Sequence, residues 1–362
     1  MELTKELLKQ KPLILAIDTS CDDTSVALLR GREVISSELS SQTELHSEFG
    51  GVVPDLAKRL HEENIEGVYN RALGNNPGMI NNVDYIAVTT GPGLAIDLEV
   101  GIKYAKDLAL RYSKPFVPVN HMEGHLFSSL LLNSKGNGLV SDDDLITSFP
   151  ALGLLMSGKH TELIYIEEIG KYKKLGQTLD DAAGEAFDKV GRILNLGYPG
   201  GPVVSEFAKK GTHGVITFTT PMKNSNDLNF SYSGLKTAAL YKSKELREQG
   251  IAEREWIYDF CRGFVDAVTD SVVIKLKKAI EQNPDVKTVF VGGGVFNSEE
   301  ILRSVGTVVR SYNLNYYFPE IEYRSDNAGM VGVSAYFNIL QGRYITDIDD
   351  IESVDRDPRL SL

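Results

Sequence analysis

The chain has 362 residues, 42% hydrophobic and 24% charged, which is long enough for two domains with separate cores. Its formal net charge of −12 argues against binding nucleic acid through bulk charge alone. A run of about 18 apolar residues is absent, which argues against a membrane-spanning helix. Two cysteines cannot form a disulfide framework. These features indicate an ordinary soluble protein of a reducing compartment.

The predicted elements begin with a hairpin that has a polar turn. Apolar strand Leu13 to Ile17 leads into Asp18 to Thr24, and Ser25 to Leu29 returns. Such a turn, rich in Ser, Thr and Asp, either holds a phosphate or a metal-bound phosphate, or is an ordinary solvated turn. The same pattern recurs in 151–166, with Ser157 to Thr161 as its turn. Two such hairpins indicate a duplication.

Each hairpin is followed later in the chain by a strand that ends in a glycine turn before a helix. The first, Thr89 to Gly93, follows the strand Asp84 to Val88 and precedes a predicted helix, Ala95 to Tyr112. The second, Gly292 to Asn297, follows Lys287 to Val291. A glycine turn at a helix N-terminus suits anions. The matching order predicts two related lobes with a nucleotide site in the cleft between them.

The helices of the first lobe carry two further signals. A helix is predicted from Pro54, and Lys58, Arg59 and His61 are expected on its solvated face. Gly101 lies inside the next predicted helix. A glycine there costs about 1 kcal/mol relative to alanine, so the sequence predicts close packing at that point.

The second lobe carries paired carboxylates and hydroxyls near predicted helix starts. A helix is predicted to open near Asp180 and Asp181, whose charges suit the helix dipole. Glu185 and Asp188 share a helix face and either bind ribose hydroxyls or a cation, or remain in water. The hydroxyls within 230–236 are predicted either to cap the next helix or to contact substrate.

A candidate metal site is formed by His121-Met-Glu-Gly-His125. Residues four apart share a helix face, so the two imidazoles either bind one divalent ion or form an ordinary surface or core pair. Asp326, after a strand-like stretch from Tyr316 to Tyr323, offers a third ligand. Two histidines and a carboxylate leave positions open for substrate. Glu123 is expected to face away from them, which disfavours the zinc-protease pattern.

The domain organisation follows from composition. Residues 133–148 contain the most linker-like stretch, rich in Gly, Asn and Asp. We therefore predict a first lobe at 1–132, a linker or insertion at 133–148 and a second lobe at 149–334. The C-terminal helix region, 335–362, is expected to return to the first lobe. Its last part, 347–362, is predicted to be a terminal surface segment.

The ordered motifs resemble one family, the TsaD-like tRNA threonylcarbamoyladenosine transferases of the ASKHA (actin, sugar kinase, Hsp70) superfamily. The resemblance covers about 13–341 and is greatest to the mitochondrial member. It implies an α/β fold of two duplicated ASKHA lobes with a nucleotide cleft between them. The motifs that carry it are Asp18-Thr-Ser-Cys-Asp-Asp-Thr24, Gly50-Gly-Val-Val-Pro54, Thr90-Gly-Pro-Gly-Leu94, Asn120-His-Met-Glu-Gly-His125, Ser157-Gly-Lys-His-Thr161, Asp180-Asp-Ala-Ala-Gly-Glu-Ala-Phe-Asp188, Tyr198-Pro-Gly-Gly201, Gly292-Gly-Gly-Val-Phe-Asn297 and Ser325-Asp-Asn-Ala-Gly329.

The resemblance implies transfer of a threonylcarbamoyl group from threonylcarbamoyl-AMP to the exocyclic amine of the adenosine just 3′ of the anticodon, in tRNAs that read ANN codons. AMP leaves, and no residue is assigned as a nucleophile. One divalent ion per subunit, zinc or iron, would be bound by His121, His125 and Asp326. The donor would be bound by residues of the second lobe, namely Leu155, Met156, Ser157, Gly158, Lys159, Asp188, Gly201, Ser205 and Asn297.

The chain departs from the family pattern at Lys159, where a glycine is usual. Among the properties that the resemblance implies, affinity for the donor is therefore the one most open to change. Asp18 and Asp23 stand where the family has Glu. The Met-Glu pair between the histidines and the Pro-Gly-Gly turn are closer to the bacterial and mitochondrial branch of the family. The insertion and the extended N-terminus favour a mitochondrial-matrix homodimer that acts without partner subunits. The alternative is a bacterial cytoplasmic enzyme with partners. An ASKHA-type small-molecule kinase and a metallopeptidase remain alternative functions.

Overall fold

The structure, a computed structural model, describes residues 3–362, which divide into two compact units. Unit 1 comprises the described part of Met1–Phe149 together with Glu168–Tyr172 and Tyr317–Leu362. Unit 2 comprises Pro150–Glu167 and Lys173–Tyr316. Within the described residues, no helix is both long and apolar enough to cross a membrane.

The first sheet has five strands in the order β3-β2-β1-β4-β5. They are β1 (Leu13–Asp18), β2 (Asp23–Arg30), β3 (Glu33–Ser41), β4 (Tyr85–Gly91) and β5 (Phe116–Asn120). β1 pairs antiparallel with β2, with Leu13 opposite Arg30 and Asp18 opposite Ser25. β1 pairs parallel with β4, and β4 with β5. The predicted hairpin is therefore confirmed, and the carboxyl ends of three parallel strands meet at one edge.

The helices of unit 1 cover this sheet. They are α1 (Lys5–Leu8), α2 (Thr43–Ser47), α3 (Pro54–Ala72), α4 (Ala95–Tyr112), α5 (His121–Phe127), α6 (Asp142–Thr147), α12 (Ala328–Leu340) and α13 (Ile348–Ser353). Every residue of α12 is buried, as expected of a helix that is apolar on all sides. Side chains of α3 and α4, including Ile65 and Leu98, join the strand residues in one core.

Two predictions about these helices have different outcomes. A Cβ atom at Gly101 would lie 2.4 Å from Thr19 Oγ1, so close packing there is confirmed. The contact holds the turn after β1 against α4, because the Gly101 N–H also donates to that oxygen at 3.1 Å. His61, expected on a solvated face, is fully buried. That prediction was wrong because His61 binds Thr24 and the carbonyl oxygen of Cys21, which are distant in sequence and which the helical pattern around His61 does not reveal.

The second sheet repeats the topology of the first, in the order β10-β9-β6-β7-β8. Its strands are β6 (Ala151–Met156), β7 (Thr161–Glu168), β8 (Lys171–Gln177), β9 (Thr288–Gly292) and β10 (Asn315–Tyr317). β6 pairs antiparallel with β7 and parallel with β9, as β1 does with β2 and β4. The predicted duplication is therefore confirmed. The prediction of a strand from Tyr316 to Tyr323 was wrong beyond Tyr317, because the strand ends there and Ile321–Tyr323 is a 3-10 turn.

The helices of unit 2 are α7 (Ala183–Ile193), α8 (Gly200–Ala208), α9 (Ser233–Glu248), α10 (Glu253–Gln282) and α11 (Glu299–Ser311). α7 begins at Ala183, so Asp180 and Asp181 precede it instead of opening it. The hydroxyls of Ser231 and Ser233 both donate to Asp180 at 2.6 Å. Asp180, and not a hydroxyl, therefore holds the start of α9, because it also accepts from the Ser233 N–H at 3.2 Å.

Candidate metal centre and donor-binding turns

The metal-site histidines lie at the start of α5, directly after β5. Asn120 ends β5 and caps the helix, since its Oδ1 accepts from the backbone N–H groups of Met122 at 2.8 Å and Glu123 at 3.4 Å. His121 is consequently the first helical residue, and His125 lies one turn later on the same face. Both rings are buried, with their centroids 4.7 Å apart.

Asp326 joins the two histidines from the loop before α12. Its Oδ1 lies 3.5 Å from Nε2 of His121 and 3.1 Å from Nε2 of His125. The loop is fixed at the next two residues, because the Ala328 N–H donates to Ser25 Oγ at 3.0 Å and Asn327 caps α12. The structure thus brings together the three residues predicted as ligands. The Asp326 side chain is 28% exposed, which leaves one side of the cluster open.

The cluster fits a divalent ion in two respects. Ligand atoms that lie about 2.0–2.2 Å from such an ion are roughly 3.0–3.5 Å apart, as the carboxylate and imidazole atoms are here. Among the described residues, both ring nitrogens of His125, Nδ1 of His121 and Oδ1 of Asp18 have no hydrogen-bond partner although they are buried. Buried polar atoms normally have partners, so a cluster of unpaired ones suits a cation.

Charge at this cluster is strongly perturbed. Burial opposes protonation of His121, but the carboxylate of Asp326 and that of Asp18, 3.8 Å away, outweigh it and raise its pKa to about 10. Burial likewise opposes ionisation of Asp326, yet the histidines hold its pKa well below the usual range. In the metal-free protein, a protonated imidazole therefore takes the place of a cation among the carboxylates.

A third carboxylate, Asp23, adds to the negative field. Burial raises its pKa to about 7, and Asp22, Asp326 and Asp18 add repulsion that a hydrogen bond from Ser41 only partly offsets. In the sequence, Asp18 and Asp23 stand out as members of a polar turn and as positions where the family has Glu. The strand order could have predicted the role of Asp18. Asp18 is the last residue of β1, and β1 ends at the same edge of the sheet as β5, which leads into the histidines.

The other face of α5 is held by a carboxylate network. Glu123 accepts hydrogen bonds from Tyr172 Oη at 2.5 Å, Ser334 Oγ at 2.7 Å and Asn338 Nδ2 at 3.4 Å. Glu123 therefore points away from the metal ligands, as predicted. Its network anchors α5 to α12, which also follows Asp326, so the two helices that carry the metal ligands are fixed to each other.

The turn after β1 is held by the buried His61 of α3. Nδ1 of His61 lies 2.7 Å from Thr24 Oγ1, and its Nε2 lies 2.7 Å from the carbonyl oxygen of Cys21. A carbonyl only accepts, so Nε2 carries the proton and Nδ1 accepts from the threonine hydroxyl. Burial lowers the pKa of His61 accordingly. This contact braces the acidic turn beside the metal ligands.

The chain itself packs closely against the first glycine turn. A Cβ atom at Gly91 would lie 1.8 Å from the carbonyl oxygen of Asp357, so the chain itself fills this position. At Gly93, a Cβ atom would lie 2.7 Å from the carbonyl oxygen of Ser20, which also accepts from the Leu94 N–H. The glycines here serve close packing of distant backbone segments, and the anion site expected at this turn stays a prediction.

In unit 2, the predicted donor residues start at the end of β6. Leu155 and Met156 are buried strand residues, and the turn closes when the Ser157 N–H donates to the His160 carbonyl at 2.8 Å. A Cβ atom at Gly158 would meet nothing within 4 Å, and Lys159 beside it is exposed. The tip of this turn is therefore open.

Glycines bring the start of α7 against that turn and the start of α8 against α7. At Gly184 in α7, a Cβ atom would lie 2.5 Å from the Ser157 carbonyl oxygen. Asp188, one turn later, accepts from the backbone N–H groups of Gly200 at 2.8 Å and Gly201 at 3.3 Å. Glu185, which was paired with Asp188 in the prediction, instead contacts Lys189 at 2.7 Å.

The last two predicted donor residues lie near the start of α11. Gly293 packs against the end of β6, since its Cβ atom would lie 2.4 Å from the Met156 carbonyl oxygen. Asn297 ends the following 3-10 turn and is exposed. Ser205 of α8 lines a cavity of about 340 Å³ together with Ser298, the residue after Asn297.

Comparison with known structures identifies the fold class. The structure is similar to that of HypF from T. kodakarensis, with a TM-score of 0.57 and 15% sequence identity over 92% of this chain and 48% of that one. It is also similar to component A of the (R)-2-hydroxyglutaryl-CoA dehydratase of Acidaminococcus fermentans, with a TM-score of 0.50 and 13% identity over 90% of this chain and 98% of that one. These similarities and the repeated sheet topology define a protein of the ASKHA fold class.

Sequence comparison identifies the family. A family profile described as TsaD, tRNA N6-adenosine threonylcarbamoyltransferase, matches residues 33–333. The transferase of that name from Syntrophomonas wolfei is 39% identical over 92% of this chain and 94% of its own length. The one from Protochlamydia amoebophila is 39% identical over 97% and 99%. The one from Endomicrobium trichonymphae is 42% identical over 90% and 92%. The chain belongs to the TsaD family of tRNA N6-adenosine threonylcarbamoyltransferases, enzymes of tRNA modification.

Proposed function

We propose that the chain transfers a threonylcarbamoyl group from threonylcarbamoyl-AMP to N6 of the adenosine just 3′ of the anticodon in tRNAs that read ANN codons. The observation that carries the proposal is the cluster of His121, His125 and Asp326 in a chain of this family. The reaction forms a carbon–nitrogen bond to the adenosine amine. It breaks the carbon–oxygen bond to phosphate and releases AMP and a proton.

In unit 1, we assign the three clustered residues to one divalent ion, zinc or iron. When bound, such an ion stabilises negative charge that develops on carbonyl and phosphate oxygens during transfer. The protein's own contribution is orientation. Asp18 lies beside Nδ1 of His121, and the Glu123 network fixes the opposite face of α5.

In unit 2, we assign donor binding to the open turn after β6 and the glycine-rich start of α8. The assigned residues are Leu155, Met156, Ser157, Gly158, Lys159, Asp188, Gly201, Ser205 and Asn297. Support comes from the open tip at Gly158 and from Asp188, which fixes the backbone of Gly200 and Gly201. We expect the Lys159 ammonium to strengthen binding of a phosphate, so Lys159→Gly should raise KM for the donor and leave kcat nearly unchanged.

Two alternatives for the compartment and assembly of the enzyme have different support. The sequence motifs favour a mitochondrial-matrix homodimer that needs no partner subunit. The relatives compared here come from bacteria, which supports the alternative, a bacterial cytoplasmic enzyme with partners. The two differ in a measurable way, since only the first modifies tRNA as a single purified chain.

The test incubates the purified chain with zinc or ferrous iron, threonylcarbamoyl-AMP and unmodified tRNA, followed by nucleoside digestion and mass spectrometry. We expect threonylcarbamoyladenosine, and its loss in Asp326→Asn or after chelation. Arg59→Ala is the matched control, since Arg59 is exposed and pairs only with Glu63 in the described contacts. Product only after bacterial partner subunits are added would establish the alternative assembly. No product in either case would refute the function, and phosphorylation of a small molecule or proteolysis would then be assayed.

A further inference from the structure

The C-terminal segment, defined as residues 354–362, runs across the carboxyl ends of β4 and β5 in unit 1. The Asp357 N–H donates to the carbonyl oxygen of Thr90, the next-to-last residue of β4, at 2.8 Å. Nδ2 of Asn120, the last residue of β5, donates to the carbonyl oxygen of Ser361 at 3.1 Å. The segment is therefore docked at two neighbouring strand ends, by one backbone hydrogen bond and one from a side-chain amide, where the sequence had indicated only a surface segment.

Asn120 uses both ends of its side-chain amide. Its Oδ1 caps α5 by accepting from the N–H groups of Met122 and Glu123, while its Nδ2 holds Ser361. The next residue, His121, is the first metal ligand. Because one planar amide makes both sets of contacts, its rotation would change the cap and the docking together.

We propose that the C-terminal segment is a positioning element of the metal centre. Docking of residues 354–362 orients Asn120, and Asn120 sets the start of α5 and thereby the angle at which His121 and His125 meet Asp326. The inference rests on the metal centre assigned above and names residues that tune it without touching the ion.

Beyond the close packing of Asp357 and Leu360 against Gly91, polar contacts hold the end of this segment. Leu360, Ser361 and Leu362 line a cavity of about 570 Å³ together with Glu123 and Asn338. A cavity of that size leaves the segment with incomplete apolar packing on this side. The hydrogen bond from Asn120 is consequently the contact that joins the segment to the start of α5.

The sharpest variant is Asn120→Asp. Aspartate is isosteric and caps a helix as well as asparagine does, so the contacts to Met122 and Glu123 are retained. It has no N–H to give Ser361, so only the docking contact is lost. The added negative charge would by itself favour cation binding. A weaker metal affinity in this variant therefore reports the lost orientation of α5.

The experiment measures Zn²⁺ and Co²⁺ affinity by calorimetry, with the absorption spectrum of bound Co²⁺ as a report of ligand geometry. Changes at residues that orient metal ligands typically cost about 10- to 100-fold in metal affinity, so we expect about a 10-fold loss in Asn120→Asp and in a chain lacking 357–362. The two changes combined should cost no more than the deletion alone. Arg359→Ala, an exposed change within the same segment, should bind metal like the wild type.

Three outcomes separate the possibilities. Failure of the wild-type chain to bind either metal refutes the proposed centre itself, and the inference with it. Metal binding by the wild type with unchanged affinity and Co²⁺ spectrum in both variants refutes the inference alone, even if the deletion lowers thermal stability. If the deletion does not fold, Asn120→Asp carries the test, with hydrogen exchange at Met122 and Glu123 in the metal-free protein confirming that the cap persists.

Discussion

Metal binding should release about one proton from His121 at pH 8. The raised pKa of this imidazole, about 10, results from the carboxylates of Asp326 and Asp18 outweighing the effect of burial. A metal ligand must be deprotonated, so the ion and the proton compete for the same nitrogen. Because the folded-state pKa is raised, the competition persists through neutral pH and ends only above about pH 10.

The magnitude follows from the two pKa values. At pH 8, an imidazole of pKa about 10 is almost fully protonated and releases about 1 proton, whereas one with the ordinary value of about 6.5 releases only about 0.03. Between about pH 7 and 9, the metal affinity should therefore rise roughly tenfold per pH unit from His121 alone.

The assay is calorimetric titration of the metal-free protein with Zn²⁺ at pH 8 in buffers of different ionisation enthalpy, whose slope counts the protons released. Asp18→Asn is the matched comparison. It keeps all three ligands and removes one of the charges that raise the pKa of His121, so fewer protons should be released. A wild-type slope near zero at pH 8 would refute the electrostatic reasoning, even if the metal bound tightly.

Four further outcomes are expected. His125→Ala should abolish transfer but leave circular dichroism and thermal unfolding nearly unchanged, since its ring contacts Asp326 and makes no hydrogen bond to a described residue outside the metal cluster; loss of folding would mean that the metal is structural. Gly91→Ala should lower stability by about 1–3 kcal/mol in urea unfolding, whereas Gly234→Ala, with open space at its Cβ position, should not. Burial raises the pKa of Cys261 to about 12, so iodoacetamide at pH 8 should leave it unlabelled in the native protein by peptide mass mapping. Burial lowers the pKa of His61, so the unfolded chain binds more protons and the free energy of unfolding should fall as pH drops below about 6.5. In urea unfolding, His61→Gln should make that fall less steep, and an unchanged pH dependence of stability would contradict the prediction.

The repeated architecture was predictable because its signals are local. Apolar strands interrupted by polar or glycine turns define both hairpins, and the predicted helix Ala95 to Tyr112 has the observed bounds. The histidine pair was predictable for the same reason, since spacing alone places His121 and His125 on one helix face. Donor-residue roles and the domain bounds stay predictions, which the functional assays above and limited proteolysis test.

The sequence did not reveal contacts between distant segments. His61 has a charged helical neighbourhood in sequence, yet its partners are Thr24 and the carbonyl of Cys21 on another element. Gly91 has the local pattern of an anion-binding turn, yet a segment more than 250 residues later fills it. Local periodicity carries no information about such contacts, which depend on strand order and on where the chain returns.

The two sheets show how one topology supports different chemistry. In unit 1, the turn after β1 begins with Asp18, which lies beside His121. Its counterpart in unit 2 is the turn after β6, because β6 pairs with its neighbours as β1 does, and that turn has an open tip at Gly158. The equivalent turns therefore differ, since one supplies a carboxylate next to the metal ligands while the other leaves room for a ligand. Duplication therefore gives each copy of the sheet the freedom to specialise, because a requirement met by one copy no longer constrains the other.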